Sequence, residues 1–281
     1  MLIRVKSLHG TVIRARDGDI GKVDEVLFDD EHWKVRYLIA DTGGWLSDRK
    51  VLLSPNGLGE RDIDAGVLRV NLTREQVKGS PDVKSDEPVS RQWEKDYYDY
   101  YAWPYYWGGM GFVGGMGFAG GLGATNEIGL YQGPILAPGM GGSLAQEDLD
   151  KRAREHSNRD SGDCHLRSTK EVTGYGIIAK DGRLGHVDDF IVDDKSWRIC
   201  YLAVDTKDLW PGKKVLLPSE WIGQTRWPDR TVRVEVTQDQ VRNAPEWNAN
   251  EPISRAFEDD ISQYYAEQRL GRYDFSKSSS K

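Results

Sequence analysis

Hydrophobic and polar residues alternate along several short stretches of the first hundred residues, a pattern typical of half-buried β-strands. The pattern predicts five strands, over residues 11–15, 20–28, 33–40, 50–53 and 67–72. Asp17-Gly18 separates the first two and favours a tight hairpin, because glycine accepts the positive φ of a primed turn. Gly21 indicates a bulge or a close approach of a neighbouring strand, where a side chain would clash.

Helical signals follow the predicted strands. Thr73–Gln76 has the form of a capping box, in which Thr and Gln side chains bond the free amides of a helix start, and Thr237–Gln240 repeats it. Farther on, Val89, Trp93 and Tyr97 are spaced by four, which predicts a helix with one apolar face. We expect this helix to pack on its own domain or on the other copy described next, with a detachable interaction helix as the alternative.

The whole pattern recurs 164 positions later without a gap. Gly18–Leu53 aligns with Gly182–Leu217, and 34 of the 92 positions from Gly10 to Tyr101 are identical to their counterparts. A repeat of this length indicates two domain-sized copies rather than a solenoid of short units. The expected fold is mainly β with short helices: two small β-barrels that arose by internal duplication and pair with each other, as an isologous dimer would.

The repeat divides the chain into four parts. We expect a first barrel with its C-terminal helix over residues 1–101, a linker over 102–163, a second barrel with helix over 164–265, and a disordered tail over 266–281. The linker is rich in glycine and ends in a charged, helix-prone stretch. Glycine is a poor helix former, so a flexible or self-associating linker is favoured over membrane or partner contact and over a true membrane span.

Composition narrows the function classes. The chain has 38 Lys and Arg against 45 Asp and Glu, for a net charge of −7, which makes nucleic acid an unexpected partner. Two cysteines, Cys164 and Cys200, do not make a disulfide framework, and the N-terminus has no apolar signal region. A cytoplasmic location, or one peripheral to the inner membrane, is therefore expected. Cys200 takes the place of Arg36 in the repeat and is expected to be half-exposed.

Acidic pairs are the first candidates for chemistry. Asp29-Asp30 and Asp193-Asp194 recur at equivalent positions and are the candidate ligands for a divalent cation. However, the same positions follow predicted strands, where an aspartate commonly bonds the backbone of its own turn. The turn role is favoured over the metal site. No catalytic residue and no cofactor is expected, because neither a nucleophile motif nor histidine spacing suited to a metal is present.

Aromatic residues are the candidates for partner contact. Exposed Trp and Tyr are typical anchors of protein interfaces. One lies before the fourth strand of each copy, and four lie where the helix meets the linker: Trp45, Trp210, Trp103, Tyr105, Tyr106 and Trp107. Packing of the helix end onto the barrel is the alternative.

Both copies resemble the PRC-barrel family. The family is named for the cytoplasmic domain of the photosynthetic reaction-centre H subunit, and a related barrel forms the C-terminal half of the ribosome maturation factor RimM. The residues that carry the resemblance are Gly21, Val23, Asp24, Phe28, Asp29, Trp33, Arg36-Tyr37-Leu38, Asp41-Thr42, Trp45 and Val51-Leu52-Leu53.

The resemblance implies a binding or scaffolding barrel without established catalytic residues. The expected function is a non-catalytic adapter or assembly protein that docks partner proteins through barrel-rim loops and exposed aromatics. One alternative is a peripheral subunit of a membrane complex for photosynthetic electron transfer. Another is an RNA-processing or ribosome-maturation factor, against which the acidic balance counts. A hydrolase or metal enzyme is the least expected.

Overall fold

A computed structural model describes residues 1–46, 49–62, 66–81, 89, 91–107, 165–206 and 213–277. By contact, Met1–Glu87 and His165–Lys281 form one compact unit, and Pro88–Cys164 form a second. Two separate barrels with a linker were expected, but the two halves of the repeat share one unit. The Gly-rich and charged parts of the predicted linker, residues 108–163, lie outside the described residues.

The first unit contains two seven-stranded sheets among the described residues. In chain order, the strands of the first half are β1 (Leu2–Arg4), β2 (Val12–Ala15), β3 (Gly18–Asp29), β4 (Lys34–Asp41), β5 (Lys50–Leu53), β6 (Leu58–Asp62) and β7 (Val67–Val70). Those of the second half are β8 (Leu166–Ser168), β9 (Gly176–Ile178), β10 (Arg183–Asp193), β11 (Ile199–Asp205), β12 (Lys214–Pro218), β13 (Ile222–Arg226) and β14 (Thr231–Val234).

The two sheets have the same strand order. The first runs β5-β4-β3-β2-β7-β6 and the second β12-β11-β10-β9-β14-β13. Neighbours are antiparallel except for the parallel pairs β2–β7 and β9–β14. The four strands predicted at residues 11–15, 20–28, 33–40 and 50–53 are confirmed within two residues, and the fifth is β7. Strand β6 was not predicted, because its sequence does not alternate between apolar and polar residues.

The halves exchange strands. β1 belongs to the first half but pairs with β10 of the second sheet, where Ile3 lies opposite Val192. β8 precedes the second half but pairs with β3 of the first sheet, where Arg167 lies opposite Phe28. No strand was predicted before residue 11, so β1 was missed by the sequence analysis. β1 pairs with β10, which lies far away in the sequence. A pairing between such distant residues leaves no local pattern in residues 1–8.

The prediction of closed barrels was also wrong for the described residues. β5 and β6 stand at the two ends of the first sheet's order, and β12 and β13 at the ends of the second, without a ladder between them. A 3₁₀ helix at Pro55–Gly57 connects β5 to β6. A tight hairpin turn would return the chain beside β5, whereas this connection carries it away.

Glycine allows the close approach of β3 to β4, and of β10 to β11. A Cβ on Gly21 would lie 2.0 Å from the carbonyl oxygen of Asp41, and one on Gly185 would lie 2.1 Å from that of Asp205. The ladders shift register beside Gly21, between Ile13 and Arg14 on β2. The prediction of a bulge or close strand approach at Gly21 is confirmed.

Short helices complete the fold. They are α1 (Arg74–Lys78), α2 (Arg91–Tyr101), α3 (Thr169–Val172), α4 (Gln238–Arg242) and α5 (Arg255–Lys277). Both predicted capping boxes are present, at Thr73 before α1 and at Thr237 before α4. The predicted disordered tail is corrected in part, because α5 continues to Lys277. Residues 266–270 are mostly good helix formers, so propensity favours continuation. In the described part of the chain, no helix is long and apolar enough to cross a bilayer.

Candidate functional site

Asp29 closes the turn between β3 and β4. Its carboxylate is buried and accepts hydrogen bonds from the amides of Glu31 and His32 at 2.9 and 3.1 Å. The Arg36 guanidinium donates to Oδ2 at 2.6 Å. Burial by itself would raise the pKa of Asp29, but the bonds from Arg36 and the two amides outweigh it and lower the pKa. Asp29 is thus a turn anchor held by a buried ion pair.

A metal-ligand set at this turn consists of Asp29, Glu31 and His32, whose ligand atoms lie within 4.8 Å of one another. His32 Nδ1 is 2.9 Å from Asp29 Oδ2, the oxygen that Arg36 also contacts. A cation would have to compete with a guanidinium already on that oxygen, which disfavours metal binding.

The other predicted metal candidates do not converge with Asp29. Asp30 accepts from Arg167 Nε at 3.1 Å and lies 3.0 Å from His165 Nδ1, so it holds the start of the second half against the first. Asp193 accepts from the amide and hydroxyl of Ser196 at 2.9 and 2.6 Å, within its own turn. Asp194 lies beside it and its amide donates to the Met1 carbonyl at 3.0 Å.

Ion pairs between the halves surround the exchanged strands. Lys170 Nζ lies 2.6 Å from Asp24 Oδ1, and Lys6 Nζ lies 2.8 Å from Asp188 Oδ1. Both contacts join the halves and correspond to each other, because Lys170 aligns with Lys6 and Asp188 with Asp24 at the offset of 164. The Lys170 hydrogen bond lowers the pKa of Asp24 despite partial burial. These carboxylates stabilise the pairing of the halves.

Arg4 of β1 bonds Asp189, a buried carboxylate of the second half. Arg4 Nε donates to Asp189 Oδ2 at 3.0 Å, and the Lys6 amide donates to Oδ1 at 3.0 Å. The Asp189 side chain is 1% exposed. Burial raises its pKa above the ordinary value, and the bonds from Lys6, Phe190 and Arg4 offset only part of that effect. In the first half, the corresponding Glu25 accepts from Ser168 instead.

Trp45 is half-buried at the 3₁₀ helix Gly43–Leu46. The Arg74 guanidinium carbon lies 4.4 Å from the centroid of its ring, a cation–π contact at the start of α1. This contact places Trp45 against its own half, while a surface hollow lined by Trp45, Asp17 and Lys78 stays open beside it. Trp210 lies outside the described residues.

The aromatic residues after α2 pack on one another within the second unit. Tyr98 is buried and has ring contacts with Trp103, Tyr105, Tyr106 and Trp107 at 5.3–6.3 Å between centroids. Of the four predicted contact residues in this cluster, Tyr105 is the most exposed, at 36%.

Hydrogen bonds tie the cluster to the helix. Tyr106 donates to the buried carboxylate of Glu94 at 2.7 Å, and Tyr105 donates to Asp99. The cluster therefore packs against its own helix, and sequence alone did not separate this role from partner contact.

A cleft that was not predicted from the sequence lies beside α5 in the first unit. Its lining includes Cys200, Trp221, Glu258 and Tyr265. Burial raises the pKa of the Cys200 thiol, the opposite direction from the shift of an activated thiolate. The sequence signals that could have revealed the cleft are differences within the repeat, because Trp221 aligns with Gly57 and Cys200 with Arg36.

Comparison with known proteins identifies part of the chain. The family model described as PRC-barrel domain matches residues 2–77, which run from β1 into α1. An uncharacterized protein of Deinococcus radiodurans is 39% identical over 77 residues. That similarity covers 27% of this chain and 27% of the relative, so the two share about a quarter of their lengths. Residues 2–77 of this protein form one PRC-barrel domain.

Proposed function

We propose that this protein is a non-catalytic adapter built from two duplicated PRC-type modules that hold partner proteins on their combined surface. Support for the duplication comes from the 34 identities at a constant offset of 164 positions. The shared strand order of the two sheets supports it independently.

The observation that carries the proposal is the reciprocal exchange of β1 and β8. Each half supplies one strand to the sheet of the other half, so each sheet is complete only when both halves are present. Two modules fixed in this way present their loops and helices in one constant arrangement. A fixed arrangement lowers the entropy cost of binding a partner across both modules, which suits an adapter.

A non-catalytic role is favoured by how the charged groups are used. Catalysis needs carboxylates that stay free to act on a substrate. The most buried described aspartates, Asp29 and Asp189, instead bond backbone amides and the arginines Arg36 and Arg4. The thiol of Cys200 has a raised pKa, opposite to the shift that a nucleophile needs.

Affinity capture tests the proposal. The tagged full-length chain and a variant lacking residues 102–143 are each used to purify bound proteins from the cells that produce the chain. The expected result is one stoichiometric partner that also binds the purified chain directly, and that both forms recover because the modules carry the binding. No direct partner, or turnover of a substrate by the purified chain, would reject the adapter role.

A further inference from the structure

The cleft beside α5 has the size of a ligand site. It lies between α5, the strands β11 and β12, and the 3₁₀ helix Ser219–Trp221, and its volume is about 550 Å³. Pockets that bind small groups in proteins measure roughly 300–1,000 Å³. The helix keeps its place by burying Ile261 and Tyr265, so the cleft opens along its flank.

The apolar walls of the cleft come from aromatic residues. Trp221, Tyr265 and Tyr201 are 5%, 4% and 7% exposed. The Tyr265 hydroxyl is buried and has no hydrogen-bond partner among the described residues. An unsatisfied buried hydroxyl is costly to keep in a site that serves only packing. Its presence in the wall indicates that this part of the cleft is not optimised for packing alone.

Of the two glutamates that line the cleft, one lies near arginine side chains and the other does not. Arg198 and Arg269 both lie near Glu220, at 3.6 and 3.9 Å. In contrast, the Glu258 carboxylate has neither an ion pair nor a hydrogen bond within the part of the chain that the structure describes. A carboxylate that lines an aromatic cleft without a counter-ion favours a cationic occupant.

Arg269 already shows how a cation fits this wall. Its guanidinium carbon lies 5.7 Å from the centroid of the Trp221 ring while one nitrogen faces Glu220. Arginine and lysine combine an apolar stem with a charged end, which matches an aromatic wall beside a carboxylate.

Two residues that line this cleft, Trp221 and Cys200, differ from their counterparts in the first half. Gly57 stands where Trp221 does and offers no ring, and Arg36 stands where Cys200 does. The Arg36 guanidinium is itself bonded to Asp29. Replacement of a large cationic side chain by cysteine leaves more room on this face and removes a positive charge.

We propose that this cleft receives a lysine or arginine side chain from a basic segment of a partner protein, an inference that rests on the proposed adapter function. The stem packs against Trp221 and Tyr265, and the charged end pairs with Glu258. The net charge of −7 adds a long-range attraction for a basic segment.

Fluorescence polarisation with two labelled peptides tests the cleft. The probes are three repeats of Arg-Gly-Ser and three repeats of Glu-Gly-Ser, added to the full-length chain at low salt. The arginine peptide is expected to bind, and Glu258→Gln should raise its Kd about three- to fivefold, as loss of a partly exposed ion pair does. The matched control Asp259→Asn, on the exposed side of the same helix, should leave the Kd unchanged.

Alkylation of Cys200 supplies a second readout at the site. The arginine peptide should slow the reaction of Cys200 with iodoacetamide, followed by site-resolved mass spectrometry, in the parent chain but less in Glu258→Gln. Equal Kd values for the parent chain and Glu258→Gln, or equal binding of the glutamate peptide, would overturn the assignment. If affinity capture yields a direct partner while the arginine peptide fails to bind, only the cleft assignment falls and the adapter stands.

Discussion

Lys34 and Arg198 form an isolated antiparallel bridge across the two halves, although 164 positions separate them in the chain. On either side of this bridge, the Val35 amide donates to the Trp197 carbonyl and the Ile199 amide to the Trp33 carbonyl, both at 2.8 Å. Each contact is the counterpart of the other under the same offset. Residues that align in the repeat therefore meet across this bridge.

Gly21→Ala should destabilise the protein by about 3 kcal/mol, because its Cβ would overlap the Asp41 carbonyl and force β3 and β4 apart. Urea unfolding followed by circular dichroism measures the change. Gly44→Ala is the control, because a Cβ there meets nothing within 4 Å. Similar free energies of unfolding for the two variants would contradict the close approach of the strands.

Asp189→Ala should cost about 3 kcal/mol of stability, since it leaves the Arg4 guanidinium and the Lys6 amide without their buried acceptor. The counterpart Glu25→Ala should cost about 1 kcal/mol or less, because Glu25 is only half-buried and bonds a neutral serine. Chemical unfolding of both variants gives the comparison. A larger loss of unfolding free energy in Glu25→Ala than in Asp189→Ala would contradict the stabilising role assigned to the contact between Arg4 and Asp189.

Acid should remove the stabilisation that Asp24 provides. The hydrogen bond from Lys170 lowers the folded pKa of Asp24 below its ordinary value of 3.8. A carboxyl group with a lowered pKa contributes stability above the unfolded pKa and loses it as the pH falls through the folded pKa. Asp24→Asn should therefore cost about 1 kcal/mol near neutral pH, as a partly exposed ion pair does, and progressively less below about pH 4.

Free energies of unfolding for the parent chain and Asp24→Asn, measured from about pH 3 to 7, check this dependence. Asp259→Asn serves as the control, since its side chain is exposed and has no ion pair among the described residues. A cost for Asp24→Asn that stays constant across the range would exclude the proposed linkage.

Divalent cations should not bind tightly at the turn after β3, because Arg36 already occupies Asp29 Oδ2 at 2.6 Å. Calorimetric titration with Ca²⁺ and with Zn²⁺ is expected to give no stoichiometric binding at micromolar concentration. Arg36→Met removes the competing guanidinium and should strengthen any binding at Asp29, Glu31 and His32. A site of full occupancy in the parent chain, lost in Asp29→Asn, would revive the metal hypothesis.

Local features were predictable from local sequence. The alternation of apolar residues indicated β2 to β5, Asp17-Gly18 the hairpin between β2 and β3, and the two capping boxes the starts of α1 and α4. Each signal depends on residues within one turn or one strand of each other. Asp29 and Asp193 accept hydrogen bonds from amides of their own turns, which are contacts between residues close together in the sequence.

The sequence by itself determined β2 to β5, β7, the turn between β2 and β3, and the 34 identities of the repeat, because short-range patterns and repeated letters encode them. Only the tertiary structure decided that β1 and β8 cross to the opposite sheet, that neither sheet closes, and that Trp221 and Glu258 meet in one cleft. These features depend on contacts between residues up to 245 positions apart. Such contacts are chosen by the packing of whole surfaces against each other, for which no short stretch of sequence carries the signal.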